Sequence, residues 1–218
     1  MTRARTIGVG ATALGGAYLA LVRPRILRWG ATGEEIQRPL PGKDIVPGAR
    51  RDASTMAVTI HVPADRVWPW LVQMGCDRAG WYSYDRLDNA GHPSAEEIVP
   101  EWQHLDVGDR LAADPSAEHW FTAALVHPQR ALVLRASYDL RTMRPFDPEG
   151  SQPRCYSDST WEFVLEEIAP ATTRLVVAGS STGRPWVVDR LAKLLWWEPA
   201  HFVMQRKQLA EIKRRAEA

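Results

Sequence analysis

Apolar residues Met56, Val58, Ile60 and Val62 alternate with Ala57, Thr59 and His61, the period-two pattern of a half-buried strand. Pro63 then opens a helix with Val67, Trp70, Leu71 and Met74 on one face and Gly75 as its C-cap. Pro69 inside that run predicts a short or kinked helix. Five more strand-like runs follow: 108–113, 118–126, 131–137, 159–166 and 173–181. Asp114-Pro115, His127-Pro128 and Pro170 punctuate them. Strand after strand with short connections implies an antiparallel meander. Trp161, Phe163 and Leu165 share one strand face, and Glu162 and Glu166 point away from it. In 118–126 both faces are apolar, Trp120, Thr122, Ala124 and Val126 opposing Phe121, Ala123 and Leu125. The loop from Thr142 to Asp158 is long for a hairpin, and either a binding loop or disorder fits it.

The tail reads as helix. Residues 187–197 are apolar at Val187, Leu191, Leu194 and Leu195, and Pro199 predicts a break. From Ala200 onward Phe202, Gln205, Leu209, Ile212 and Ala216 form one stripe. A polar Gln205 on a core-facing stripe needs a hydrogen-bond partner, at a cost of about 1–3 kcal/mol without one. A strand side chain is the commonest partner; a ligand or buried water are the others. These elements together make an α+β domain.

Ahead of them, residues 6–22 are uncharged and apolar, with Arg3 and Arg5 before and Arg23, Arg25 and Arg28 after. The run is short for a membrane span, and no small-x-small cleavage site ends it. Its small residues four apart suit helix packing in a bilayer. The expectation is a transmembrane anchor over 1–29, a linker over 30–54, and a ligand-cavity domain over 55–218. The denser basic flank after the run predicts a membrane-associated protein whose domain faces the cytoplasm. The alternatives are a cytoplasmic protein, or one secreted after signal cleavage.

A net charge of +1 and the lack of a basic face exclude nucleic acid as a partner. Cys76 and Cys155 form no C-x-x-C pair, so neither a metal site nor a redox dithiol is expected. The 10 Trp in 218 residues point to an aromatic-lined pocket or an aromatic core.

The run Val67-Trp68-Pro69-Trp70-Leu71-Val72-Gln73-Met74-Gly75 follows an Ile60-His61-Val62-Pro63-Ala64 entry. This resembles the opening of the SRPBCC or START-like superfamily, whose helix-grip fold curves an antiparallel sheet around a long C-terminal helix. Residues 79–85 (AGWYSYD), 98–103 (IVPEWQ) with Val107-Gly108-Asp109, and 201–207 (HFVMQRK) resemble a bacterial subgroup labelled polyketide cyclase/dehydrase-like. The resemblance runs from Asp52 to the C-terminus. It implies binding or carriage of a hydrophobic small molecule such as a lipid, isoprenoid or polyketide. It carries no catalytic signature over, and it leaves catalysis open.

Candidate wall residues for such a cavity are Trp70, Trp81, Tyr82, Tyr84 and Trp102. Trp120, Trp161, Phe202 and Gln205 are the others. The rival reading, a cyclase/dehydrase-like enzyme, draws its acid or base from Asp85, Glu101, His104 and His201. No nucleophile elbow, phosphate loop or dinucleotide fingerprint occurs. Gly8-x-Gly10 follows no strand, so no cofactor and no metal are expected.

Overall fold

The computed structural model describes residue 16, residues 18–186, residue 194 and residues 198–218. A five-residue helical turn, Tyr18–Val22, runs into α1 (Arg23–Leu27), and α2 (Gly33–Gln37) follows. Strand β1 (Arg50–Ile60) leads to α3 (Ala64–Val72) and α4 (Asp85–Asp88). The meander comprises β2 (Arg110–Ala112), β3 (Trp120–His127), β4 (Ala131–Asp139), the two-residue β5 (Arg144–Pro145), β6 (Tyr156–Ala169) and β7 (Thr172–Arg184). Helix α5 (Glu198–Glu217) closes the chain. The strands form one antiparallel sheet in the order β1-β7-β6-β4-β3-β2, with β5 on β4.

The period-two pattern and the helical stripe meet in one core. Met56, Ile60, Leu132, Leu134, Phe163 and Val177 on one sheet face pack against Leu209, Ile212 and Ala216 of α5. Helix α5 is described from Glu198, two residues before Ala200, so Pro199 lies inside the helix. The helix expected over 187–197 lies outside the described residues apart from residue 194. In β3 the register shifts between Ala123 and Leu125, so Val126 joins Phe121 and Ala123 on the core face. One extra residue inverts every later side chain, which simple alternation misses.

Helix α3 keeps Pro69 inside it and ends at Val72. Gln73 caps it, and Gly75, at φ 133°, turns the chain two residues later. On the outer sheet face Glu162 does not reach solvent. It is 0% exposed, and its carboxylate accepts from Gly42 N at 2.8 Å and from Thr160 Oγ1 at 3.0 Å. Residues 30–49 lie along this face. The Glu35 carboxylate accepts from Arg174 at 2.9 Å, and Arg51 donates to the carbonyls of Glu35 and Arg38.

The expected transmembrane anchor, and with it membrane association and a cytoplasm-facing placement, must be corrected. Among the described residues no helix is long and apolar enough to cross a membrane. Residues 6–15 and 17 lie outside the described residues. Arg23, read as a membrane-flanking charge, is instead paired with Glu198 of α5 at 2.6 Å.

Candidate functional site

The segment between α3 and β2 is organised by a few buried polar side chains. Gly75 and Gly80 exchange backbone hydrogen bonds at 3.2 and 2.8 Å, closing a small loop. Gly80 takes φ 81°, and an added Cβ would lie 2.5 Å from Ser94 Oγ, so only glycine fits. The Ser94 hydroxyl accepts from Tyr82 N at 3.1 Å and donates to Asp85 Oδ1 at 2.6 Å. Gln73, fully buried, donates to Tyr82 Oη at 2.9 Å and accepts from Val99 N and Gln103 Nε2. Arg215 of α5 stacks over the Tyr82 ring at 4.9 Å and donates to the carbonyl of Ala95 and to Glu96. Burial raises the Tyr82 phenol well above its usual value, so it stays neutral.

This scaffold delivers Trp81 to the sheet, where four rings gather. Trp81 lies 5.4 Å from both Phe121 of β3 and Trp161 of β6, Phe121 lies 5.4 Å from Trp161, and Trp161 lies 4.8 Å from Phe163. Trp81 and Phe163 are closed off, whereas Phe121, Trp161 and the neighbouring Phe202 of α5 are half-buried. The cluster thus joins closed-off rings to half-buried ones.

Gln205 sits beneath it, 2% exposed and satisfied. Its Oε1 accepts from Trp161 Nε1 at 2.9 Å, and its Nε2 donates to Gln208 Oε1 at 2.7 Å. Gln208 Nε2 in turn donates to the Trp81 carbonyl at 2.9 Å. The partner required of Gln205 is therefore a strand side chain, Trp161. Sequence reading missed Gln208, although its position three residues on puts it on the same helix face.

The remaining candidates are scattered. Trp70 is buried edge-to-face with Tyr82 at 5.9 Å, and Tyr84 is exposed. Trp102 is half-buried and packs against the core, and Trp120 carries the Arg110 guanidinium 4.2 Å over its ring. Asp85 is held by Ser94, Glu101 is exposed, and exposed His104 pairs with Asp106 at 2.9 Å. His201 stands in the first turn of α5, where burial lowers its imidazole to about 4 and keeps it neutral at pH 7. Asp88, which sequence reading passed over, has both carboxylate oxygens shielded from solvent, and burial followed by the nearby Asp85 charge raises its pKa. The Cys76 thiol donates to the Asp88 carbonyl at 2.8 Å, and burial pushes it up to about 11. Both cysteines are free thiols. Among the described residues no group of His, Cys, Asp and Glu could hold a metal. A separate surface hollow of about 590 Å³, between the β3–β4 turn, β6 and Pro41, shares no residue with the rings.

The class this arrangement defines is an α+β protein with a long C-terminal helix on an antiparallel sheet and an aromatic cluster between them, a makeup consistent with a hydrophobic-ligand cavity. No family model and no curated protein sequence matches the chain. Among solved structures it is similar to a protein from Arthrobacter aurescens, at 14% identity and TM-score 0.41 over 78% of this chain and 91% of that one. It is also similar to CalU16 from Micromonospora echinospora, at 15% identity and TM-score 0.35 over 78% and 94%. DynU16, from the dynemicin biosynthetic locus, gives 18% and 0.37 over 73% of this chain and 48% of its own.

Proposed function

We propose that this chain is a helix-grip protein of the SRPBCC type that binds a hydrophobic small molecule, of lipid, isoprenoid or polyketide-like chemistry, against the Trp81–Phe121–Trp161 cluster. One observation carries the reading: Trp161 stands at the centre of the cluster yet is only half-buried, while its N–H is already satisfied by Gln205. Aromatic faces left partly open beside a closed apolar floor favour a flat apolar guest over water. Organic extraction of the purified protein followed by mass spectrometry tests this. The expected result is a stoichiometric apolar molecule in the wild type that is lost in Trp161→Ala. Extracts empty of any such molecule contradict it.

A second reading, that the guest is also transformed as in a cyclase or dehydrase, has its own support. Burial lowers the His201 pKa to about 4, so its imidazole is neutral at pH 7, and Asp88, its pKa raised by burial and then by the Asp85 charge, has its carboxylate shielded from solvent. Glu101 and His104, both exposed, lend it nothing. Comparing the molecules extracted from wild type and from His201→Asn separates the readings. A binder yields the same molecule from both; an enzyme yields an unconverted precursor from the variant.

A further inference from the structure

The chain of hydrogen bonds from Trp161 to Trp81 has a fixed direction. An indole N–H can only donate and a peptide carbonyl can only accept. Between those ends, Gln205 must turn its oxygen to Trp161 and its nitrogen to Gln208, and Gln208 must do likewise toward Trp81. The observed distances of 2.9, 2.7 and 2.9 Å follow that head-to-tail order. Gln208 Nε2 also points its donor at Met74 Sδ, 3.7 Å away. Both glutamines are 2% exposed, so water cannot replace a broken rung at low cost. The two rings joined by the ladder are tilted by only 31°.

We propose that Gln205 and Gln208 are positioning residues that set the rotation of the Trp161 indole, and thereby select a flat, aromatic or polycyclic ligand over a linear aliphatic one. This rests on the cluster being the ligand site. With its N–H edge drawn down to Gln205, Trp161 offers a ligand ring faces and no hydrogen-bond donor. Flat π-surfaces stack on such faces at centroid separations of about 4.5–7 Å, whereas a flexible chain loses rotamer freedom there without gaining stacking. Once the first rung is cut no polar contact fixes the rotation of the indole among its packed rings, and discrimination between the two shapes fades.

The test combines a spectroscopic and a binding readout on the full chain. In wild type, Gln205→Leu and Gln205→Glu, the Trp161 indole N–H resonance is recorded, assigned through Trp161→Phe. Affinities for 2-naphthol and n-decanol are then measured. Gln205→Glu retains an acceptor for the indole but loses the donor to Gln208, so it should keep the Trp161 resonance and lose only part of the preference for naphthol. Gln205→Leu should shift that resonance, speed its exchange with solvent, and reduce the naphthol-to-decanol preference about tenfold. An unmoved resonance in Gln205→Leu overturns the ladder. A moved resonance with unchanged preference overturns its role in selection. If wild type binds neither probe, the ligand-site reading fails with the selection proposal, while the resonance still decides the ladder. Should Gln205→Leu not fold, Gln208→Leu, which leaves the indole bond but frees Gln205 at its other end, must lower the preference; an unchanged preference overturns the proposal.

Discussion

Gln205 shows how one side chain can carry both stability and shape. Replacing it with Leu leaves the Trp161 N–H and one end of Gln208 buried and unpaired, each costing about 1–3 kcal/mol. Urea denaturation of Gln205→Leu should therefore show a loss of roughly 2 kcal/mol or more, and Gln205→Glu a smaller loss at the first rung. Glu162 follows a different logic. Burial raises its pKa, so the folded state prefers the neutral acid, and stability falls as pH rises from the ordinary carboxylate range through the raised value. Glu162→Gln keeps an acceptor for Gly42 without the charge. It should melt higher than wild type at pH 8 and converge with it near pH 4; a lower melting point at pH 8 would contradict this. Residue identities of this kind were only partly legible. The apolar stripe around Gln205 announced that a partner was needed, and alternation put Glu162 on the opposite strand face, but it cannot show the second layer that folds over it.

At the scale of elements, the loop carrying Trp81 depends on backbone that only glycine tolerates. Gly80→Ala places a Cβ against Ser94 at a positive φ, at a cost of about 1–3 kcal/mol, and it should loosen Tyr82 and Asp85 together. Thermal melts and amide exchange over 79–95 would register it. A second loop is latched through His119. Its two ring nitrogens face the Asp114 carboxylate at 2.5 Å and the Met143 carbonyl at 2.8 Å, both acceptors, so both contacts need the imidazolium. The hydrogen bond to Asp114 raises the His119 pKa above its usual value, and the Glu118 charge adds to it. The latch is fully formed below the ordinary histidine range and is lost as pH rises through the raised value. Amide exchange of residues 142–146 should therefore accelerate, beyond the intrinsic pH effect, as pH rises from the ordinary histidine range through the raised value. No change relative to His119→Gln would contradict the latch. The strand and helix pattern was readable because period two and period 3.6 persist over many residues. The bulge in β3 was not, since one inserted residue leaves no mark on composition.

For the whole molecule, the sheet packs on α5 on one face and on residues 30–49 on the other, with half-buried aromatic rings at the α5 side. The Arg23–Glu198 pair puts an internal contact where a membrane flank was expected. Arg215, near the C-terminal end of α5, is buried and clamps Tyr82 and the Ala95 carbonyl. Such long-range pairings, with partners 120 or more residues apart, have no local signature in a single sequence. The central claim is that the open faces of Trp161 receive a flat apolar guest. Titrating 2-naphthol into the protein while following all ten tryptophan indole N–H resonances tests it most directly. Saturable shifts centred on Trp161 and Trp81, with Trp102 and Trp120 unmoved, are the predicted result. Shifts confined to Trp102 or Trp120, or none at all at millimolar naphthol, would contradict it.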